Sequence, residues 1–233
     1  MLFTIVSIAT RPSVGQGKVV ARSFLVPDLS PEARVKLART QPRVIFVAES
    51  PHTSEIEPVA IEDRRPLCGK AGKEWWKMVG LLLENESSED TTLFRLLRIC
   101  EEHQIAVLNA VQFPLDLGVA KKFPEADPKR VLGFYKGIGE HTYKKMLKSP
   151  ELKQSLSSLK ERLNHPKLAG LPIYALGLDS EWFLKQTFKA KDLKVRYRGR
   201  IPHPSAWWRR GGEFREQARV SLQQVFSELH IAP

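Results

Sequence analysis

The chain has 233 residues, 42% of them hydrophobic, which suits one large α/β domain able to bury a substantial core. Lysine and arginine outnumber aspartate and glutamate by 37 to 26, a formal charge of +11 that favours a polyanionic partner. The two cysteines, Cys68 and Cys100, fit no C-x-x-C or Cys/His zinc spacing, so a reducing compartment and no structural metal or other cofactor are expected.

In chain order, the opening "MLFTIVSIA" lacks a basic n-region and is too short an apolar run for a signal peptide. Nothing after it reaches membrane-spanning length, so a cytoplasmic chain without a membrane partner is expected. Residues 1–40 read as an N-terminal extension of one or two strands and a short helix near 31–39, packed on a single domain spanning 1–233. Apolar, β-branched runs follow at "RVIFVAE" (43–49), "IAVLNAV" (105–111), "LPIYALG" (171–177) and "LKVRYRG" (193–199). The first three are nearly continuous in hydrophobicity, as expected of strands covered on both faces. Helical stretches lie at about 70–84, 92–103, 129–148, 151–163, 179–188 and 212–229. Residues 116–130 read as an exposed basic loop. Strands alternating with helices predict an α/β fold, a three-layer α/β/α sandwich around a mainly parallel four-stranded sheet.

In such a sheet, ligands collect at the carboxyl ends of the strands. There the first strand is followed by "AESPHTSEIEP", the second by "NAVQFPLD" and the fourth by "IPHPSAWWRR". The third continues into "GLDSEWF", read as an ordinary helix start with Asp179 or Ser180 as cap. The economical expectation is one site built from three loops. "CGKAGKEWW" is rich in glycine and lysine but lacks the G-x-x-x-x-G-K-[ST] spacing of a phosphate loop.

These segments resemble the uracil-DNA glycosylase superfamily. "AESPHTSE" is similar to the G-E-A-P-G-x-x-E motif of the thermophile-type enzymes, with Ala48, Glu49, Pro51 and Glu55 in register. "RRPLCGKAGKEW" resembles their G-R-P-F-V-G-x-A-G segment at Arg65, Pro66, Gly69, Ala71 and Gly72. "VLNAV" is similar to the superfamily's strand-end asparagine motif, and "HPSAWWR" to its H-P-S loop. The motifs stand in the superfamily's order from residue 43 to residue 210.

The resemblance implies excision of uracil, or another deaminated base, from DNA. The base must leave the duplex for a pocket before its glycosidic bond can be cut. Bond cleavage leaves positive charge on the sugar and negative charge on the base, so donors aimed at the base oxygen are a large lever. His203, between Pro202 and Pro204, is the implied donor to uracil O2. Asn109 carries one acceptor and two donors, enough to pair with N3–H and O4 and to reject a base with an amino group at the fourth position. Glu49 is expected to order the attacking water or stabilise the cationic sugar. Ser50, Pro51, His52, Leu67 and Gly69 are expected to line the substrate pocket, and Glu55 to support the loop. Ser205, Trp207, Trp208, Arg209 and Arg210 are expected to meet DNA, with Trp207 as the wedge filling the vacated stack, Trp208 bracing it and the arginines on phosphates.

Three departures from the resembled motifs matter. Ser50 stands where many members carry the water-positioning aspartate. Leu67 replaces a stacking phenylalanine, which keeps an apolar wall but loses the ring contact. The four cysteines of the thermophile-type iron–sulfur cluster are missing, so no such cluster can form within one chain. Two rivals to a monomeric glycosylase are carried forward. One is a superfamily member that binds single-stranded or damaged nucleic acid without turnover, using "RYRGR" and the tryptophan–arginine loop. The other captures the sugar covalently through its loop histidine, a chemistry loosely echoed by "RGRIPH".

Overall fold

The computed structural model describes residues 23–29, 41–88, 90–127, 149–189 and 192–231. Four strands, β1 (Val44–Ala48), β2 (Ile105–Asn109), β3 (Pro172–Leu176) and β4 (Arg196–Ile201), form one all-parallel sheet in the order β2-β1-β3-β4. The helices among the described residues are α1 (Lys70–Glu84), α2 (Leu93–Glu102), the short α3 (Val119–Lys122), α4 (Pro150–Leu163), α5 (Leu178–Phe188) and α6 (Glu213–Glu228). The expected α/β sandwich is what the chain forms.

Side-chain alternation explains the layers. In β1, Val44, Phe46 and Ala48 join one core cluster with side chains of α1, α2 and α6, while Ile45 and Val47 join a second with α4 and α5. A strand with helices on both faces has no wet side, so its sequence shows no polar alternation. β4 is an edge strand; its "RYRGRI" alternates exposed and half-buried residues until Ile201. That alternation also moved the element: it was expected at 193–199, but regular pairing starts only at Arg196 and bulges opposite Ile173/Tyr174. Leu193 and Val195 pack into the core ahead of it.

The other helix expectations agree with the structure to within two residues, except those at 31–39 and 129–148, which lie outside the described residues. Among the described residues, the segment before residue 41 contributes one antiparallel bridge, Leu29 to Val107, with N–H···O distances of 2.8 and 2.9 Å; residues 23–28 form no regular element, and residues 1–22 and 30–40 of the expected extension lie outside the described residues. The expected loop at 116–130 is instead partly helical. Val119 and Ala126 are fully buried there in a small third cluster with Phe24, Val26 and Ile56. No described helix is long and apolar enough to cross a membrane.

Candidate active site

Asn109 is the last residue of β2, paired in register with Ala48 at the end of β1. It alternates onto the face carrying Ile105 and Val107, and is 1% exposed. Its Nδ2 donates to Oε2 of Glu55 at 3.3 Å, and its Oδ1 is buried without a hydrogen-bond partner among the described residues. A buried acceptor left unmatched costs about 1–3 kcal/mol, so this amide is presented rather than merely packed.

Glu55 closes the 3-10 turn Thr53–Glu55, which His52 caps through Nδ1 accepting from the Ser54 N–H. Only 3% exposed, its carboxyl receives backbone hydrogen bonds from His52, Leu67 and Cys68 besides the Asn109 amide. Burial outweighs these donors and pushes its pKa up to about 8. Burial, and then the Glu55 charge, push the neighbouring Cys68 thiol up to about 12, which keeps it a neutral, inert group. Leu67 holds φ at +59°, and its N–H serves Glu55 while its side chain packs into the core cluster under α1. Gly72 makes this turn possible, since a Cβ there would lie 2.0 Å from the Leu67 carbonyl oxygen. Gly69 lies beneath His52 and Ser54, where a Cβ would come within 3.0 Å of the imidazole.

The strand end is braced from behind. Arg162 of α4 donates through one terminal nitrogen to both carboxylate oxygens of Asp28 and through the other to the carbonyls of Asn109 and Ala110, each at 2.9 Å. Asp28 is buried, and desolvation raises its pKa against the lowering influence of Arg162. This part-buried pair fixes the backbone from which Asn109 projects.

His203 follows β4 and caps the 3-10 turn Pro204–Ala206. Its Nδ1 accepts from the Ser205 N–H at 3.2 Å and lies 2.8 Å from Ser205 Oγ. An Nδ1 that accepts from an amide leaves the neutral ring's proton on Nε2, turning a donor away from the turn. The ring rests on Gly177, where φ is +92° and a Cβ would fall 2.7 Å from the His203 Cβ. α1 packs against the Pro204–Ala206 turn. The loop from β1 runs through Glu55 and Leu67 into α1, so α1 ties both arms together. Two strands separate β2 from β4, about 14 Å at backbone level. One amide side chain, one pyrimidine ring and one imidazole together have that order of reach.

The remaining expected residues fall into two groups. Glu49 and Ser50 stand half-buried just past β1, with the Glu49 carbonyl accepting the Val111 N–H at 2.9 Å; Pro51 is buried and His52 exposed. Ser205, Trp208, Arg209 and Arg210 are exposed on the loop after β4, and the Arg210 guanidinium lies 5.4 Å from the Phe214 ring centroid. The wedge assignment of Trp207 is corrected. Its indole is 0% exposed, packs in the main core cluster and donates from Nε1 to the Pro202 carbonyl at 3.0 Å. Of the two tryptophans, the one that faces solvent is Trp208, 59% exposed. The capping assignment at α5 is corrected too: Gly177 is the N-cap, and Ser180 is buried, its hydroxyl donating to the Leu176 carbonyl at 2.8 Å.

Sequence reasoning missed two features. Leu178, 68% exposed, stands beside the glycine on which His203 rests; its signal was an apolar residue in the first helical position at the same end of the sheet. The Asp28–Arg162 pair carries no local signal, being separated by 134 residues.

Glu84, Glu102 and His103 place potential metal ligands within 4.8 Å of one another. Arg95 and Arg98 lie 3.5 and 3.4 Å from the Glu84 carboxylate, so the cluster is an ion-pair network whose positive charge opposes a cation.

No family model matches the chain, and neither does any curated protein. Among solved structures, it is similar to the solution NMR structure of "a putative Uracil DNA glycosylase" from Methanosarcina acetivorans, at 12% identity and a TM-score of 0.46, covering 88% of this chain and 97% of that one.

Proposed function

We propose that the chain is a DNA glycosylase that hydrolyses the N-glycosidic bond of uracil, or another deaminated base, extruded from DNA. The observation that carries this reading is the buried Asn109 carboxamide, held by Glu55 with Oδ1 unmatched among the described residues, at the same end of the sheet as a histidine whose turn directs its Nε2 proton away from the loop. In this reading Asn109 Oδ1 accepts the base N3–H and Nδ2 donates to O4. The Nε2–H of His203 donates to O2, where negative charge gathers as the bond to the sugar breaks. The bond's electron pair leaves with the base. A water ordered by Glu49 adds to the cationic sugar carbon and gives its proton to the Glu49 carboxylate, while the base departs as the anion that His203 stabilises. Ser50, Pro51, His52 and Gly69 surround the sugar and base, Leu67 contributing its main chain. Trp208 enters the vacated stack, while Ser205, Arg209 and Arg210 hold phosphates. The excess of positive charge across the chain supports a DNA partner.

The test is incubation with oligonucleotides carrying uracil, hypoxanthine, xanthine or a thymine mismatch, followed by heating in alkali. Abasic-site cleavage should appear with at least one of these bases and persist in chelator. His203→Ala and Asn109→Ala should each slow it by roughly a hundredfold or more, the scale of losing a preorganised donor. Full activity in both variants refutes the assignment.

A further inference from the structure

We propose that Glu55 is a positioning residue that sets base specificity: by engaging Nδ2 of Asn109, it decides whether the acceptor or the donor edge of the carboxamide faces the base. The inference rests on the base-excising reading above and adds a control to it.

A carboxamide is nearly symmetric in shape but not in chemistry; turning it over exchanges an acceptor for a donor pair. A pyrimidine with N–H at the third position and a carbonyl at the fourth needs Oδ1 opposite the ring nitrogen. One with a bare ring nitrogen and an amino group needs the reverse. Asn109 alone could meet either, so something must hold it.

The groups around Glu55 are suited to that task. Its partners are the backbone N–H groups of His52, Leu67 and Cys68 and the Nδ2 of Asn109, all of them donors. An ionised carboxylate satisfies all four and keeps Nδ2 turned inward, leaving Oδ1 for the base. A protonated Glu55 has an O–H to place, and Asn109 Oδ1 is the acceptor within reach once the amide turns over. Among the described residues, no cation competes for the carboxyl in the hydrogen-bonding shell. Arg65, from the following segment, is committed to the carbonyls of Thr91 and Asp63, the His52 imidazole to Ser54, and the Cys68 thiol stays neutral. With the carboxyl pushed up to about 8, uracil excision should rise with pH through that region, as the ionised form takes over.

The experiment follows the Asn109 side-chain amide by ¹⁵N–¹H NMR in asparagine-labelled protein from pH 6 to 10, the signal being assigned by its loss in Asn109→Asp. Single-turnover excision of uracil and of cytosine is measured over the same range, in wild type and in Glu55→Gln. The expected result is an Asn109 titration and an ascending uracil rate that share a midpoint near pH 8. Both should flatten in Glu55→Gln, with the uracil-to-cytosine rate ratio at pH 9 reduced roughly tenfold or more. A pH-invariant Asn109 signal overturns the proposal, and that arm needs only folded wild-type protein. So does an unchanged rate ratio in a folded Glu55→Gln. The two readings fail differently: excision without an Asn109 response refutes the clamp alone, and an Asn109 response without excision of any base refutes the glycosylase reading and with it any base specificity.

Discussion

Replacing the two adjacent tryptophans one at a time should separate the loop's foundation from its tip. Trp207 is fully buried against the core formed by α1 and α6, and its Nε1–H meets the Pro202 carbonyl beside His203. Trp207→Ala deletes a whole buried indole and leaves that carbonyl without its donor, a loss of about 3–5 kcal/mol. For a domain of this size that is roughly 6–20 °C in Tm. Trp207→Phe keeps most of the packing and should lose about 1–2 kcal/mol, largely from the missing N–H. Trp208 is 59% exposed, so Trp208→Ala should stay within about 0.5 kcal/mol of wild type. It should nonetheless slow excision from duplex DNA much more than from single strands, because only a duplex must be held open. Urea unfolding and paired single-turnover assays read these out. Wild-type stability in Trp207→Ala refutes the core placement. Equal losses on both substrates for Trp208→Ala refute the wedge.

Gly177→Ala should slow excision by roughly tenfold or more, because its Cβ would fall 2.7 Å from that of His203 at a φ of +92°; a change under twofold would show that the contact does not seat the imidazole. Leu67→Phe should cost about 1–3 kcal/mol without faster excision, since the side chain is 5% exposed in the core and its backbone is pinned at φ +59° against α1. A gain in excision would return Leu67 to the pocket wall. Glu55 should also mark stability. Its pKa of about 8 in the native state lies above the ordinary 4.5, so the native state holds a proton that the unfolded chain has released. The stability this proton confers is complete below about pH 4.5 and is lost as pH rises to about 8, with a slope approaching 1.4 kcal/mol per unit. Urea titrations of wild type and Glu55→Gln should therefore diverge across that window; parallel curves would mean an ordinary carboxyl.

Strand and helix order were legible because each rests on local pattern. Continuous β-branched runs such as residues 43–49 arise only where both faces of a strand are covered, and β4, lying at the edge with arginines alternating along it, starts three residues and ends two residues later than expected. The Asn109 and His203 loops were legible through their places at strand ends. What could not be read was depth. Trp207 and Trp208 are identical in type and adjacent in sequence, and only tertiary packing decides that one is core and the other solvent-facing. The same holds for Glu55, whose exposed-looking "TSE" context gives no sign of a carboxyl buried under the residue 67–68 turn, and for Asp28, whose partner lies in α4.

The central claim, that this site breaks a glycosidic bond, is tested most directly by mass-spectrometric detection of free base from a uracil-containing oligonucleotide in tenfold excess over protein. The account predicts free uracil beyond one equivalent, an intact strand with one abasic site, and release abolished in the double variant Asn109→Ala/His203→Ala. Tight binding with no base released would contradict it and make the chain a nucleic-acid binder without turnover.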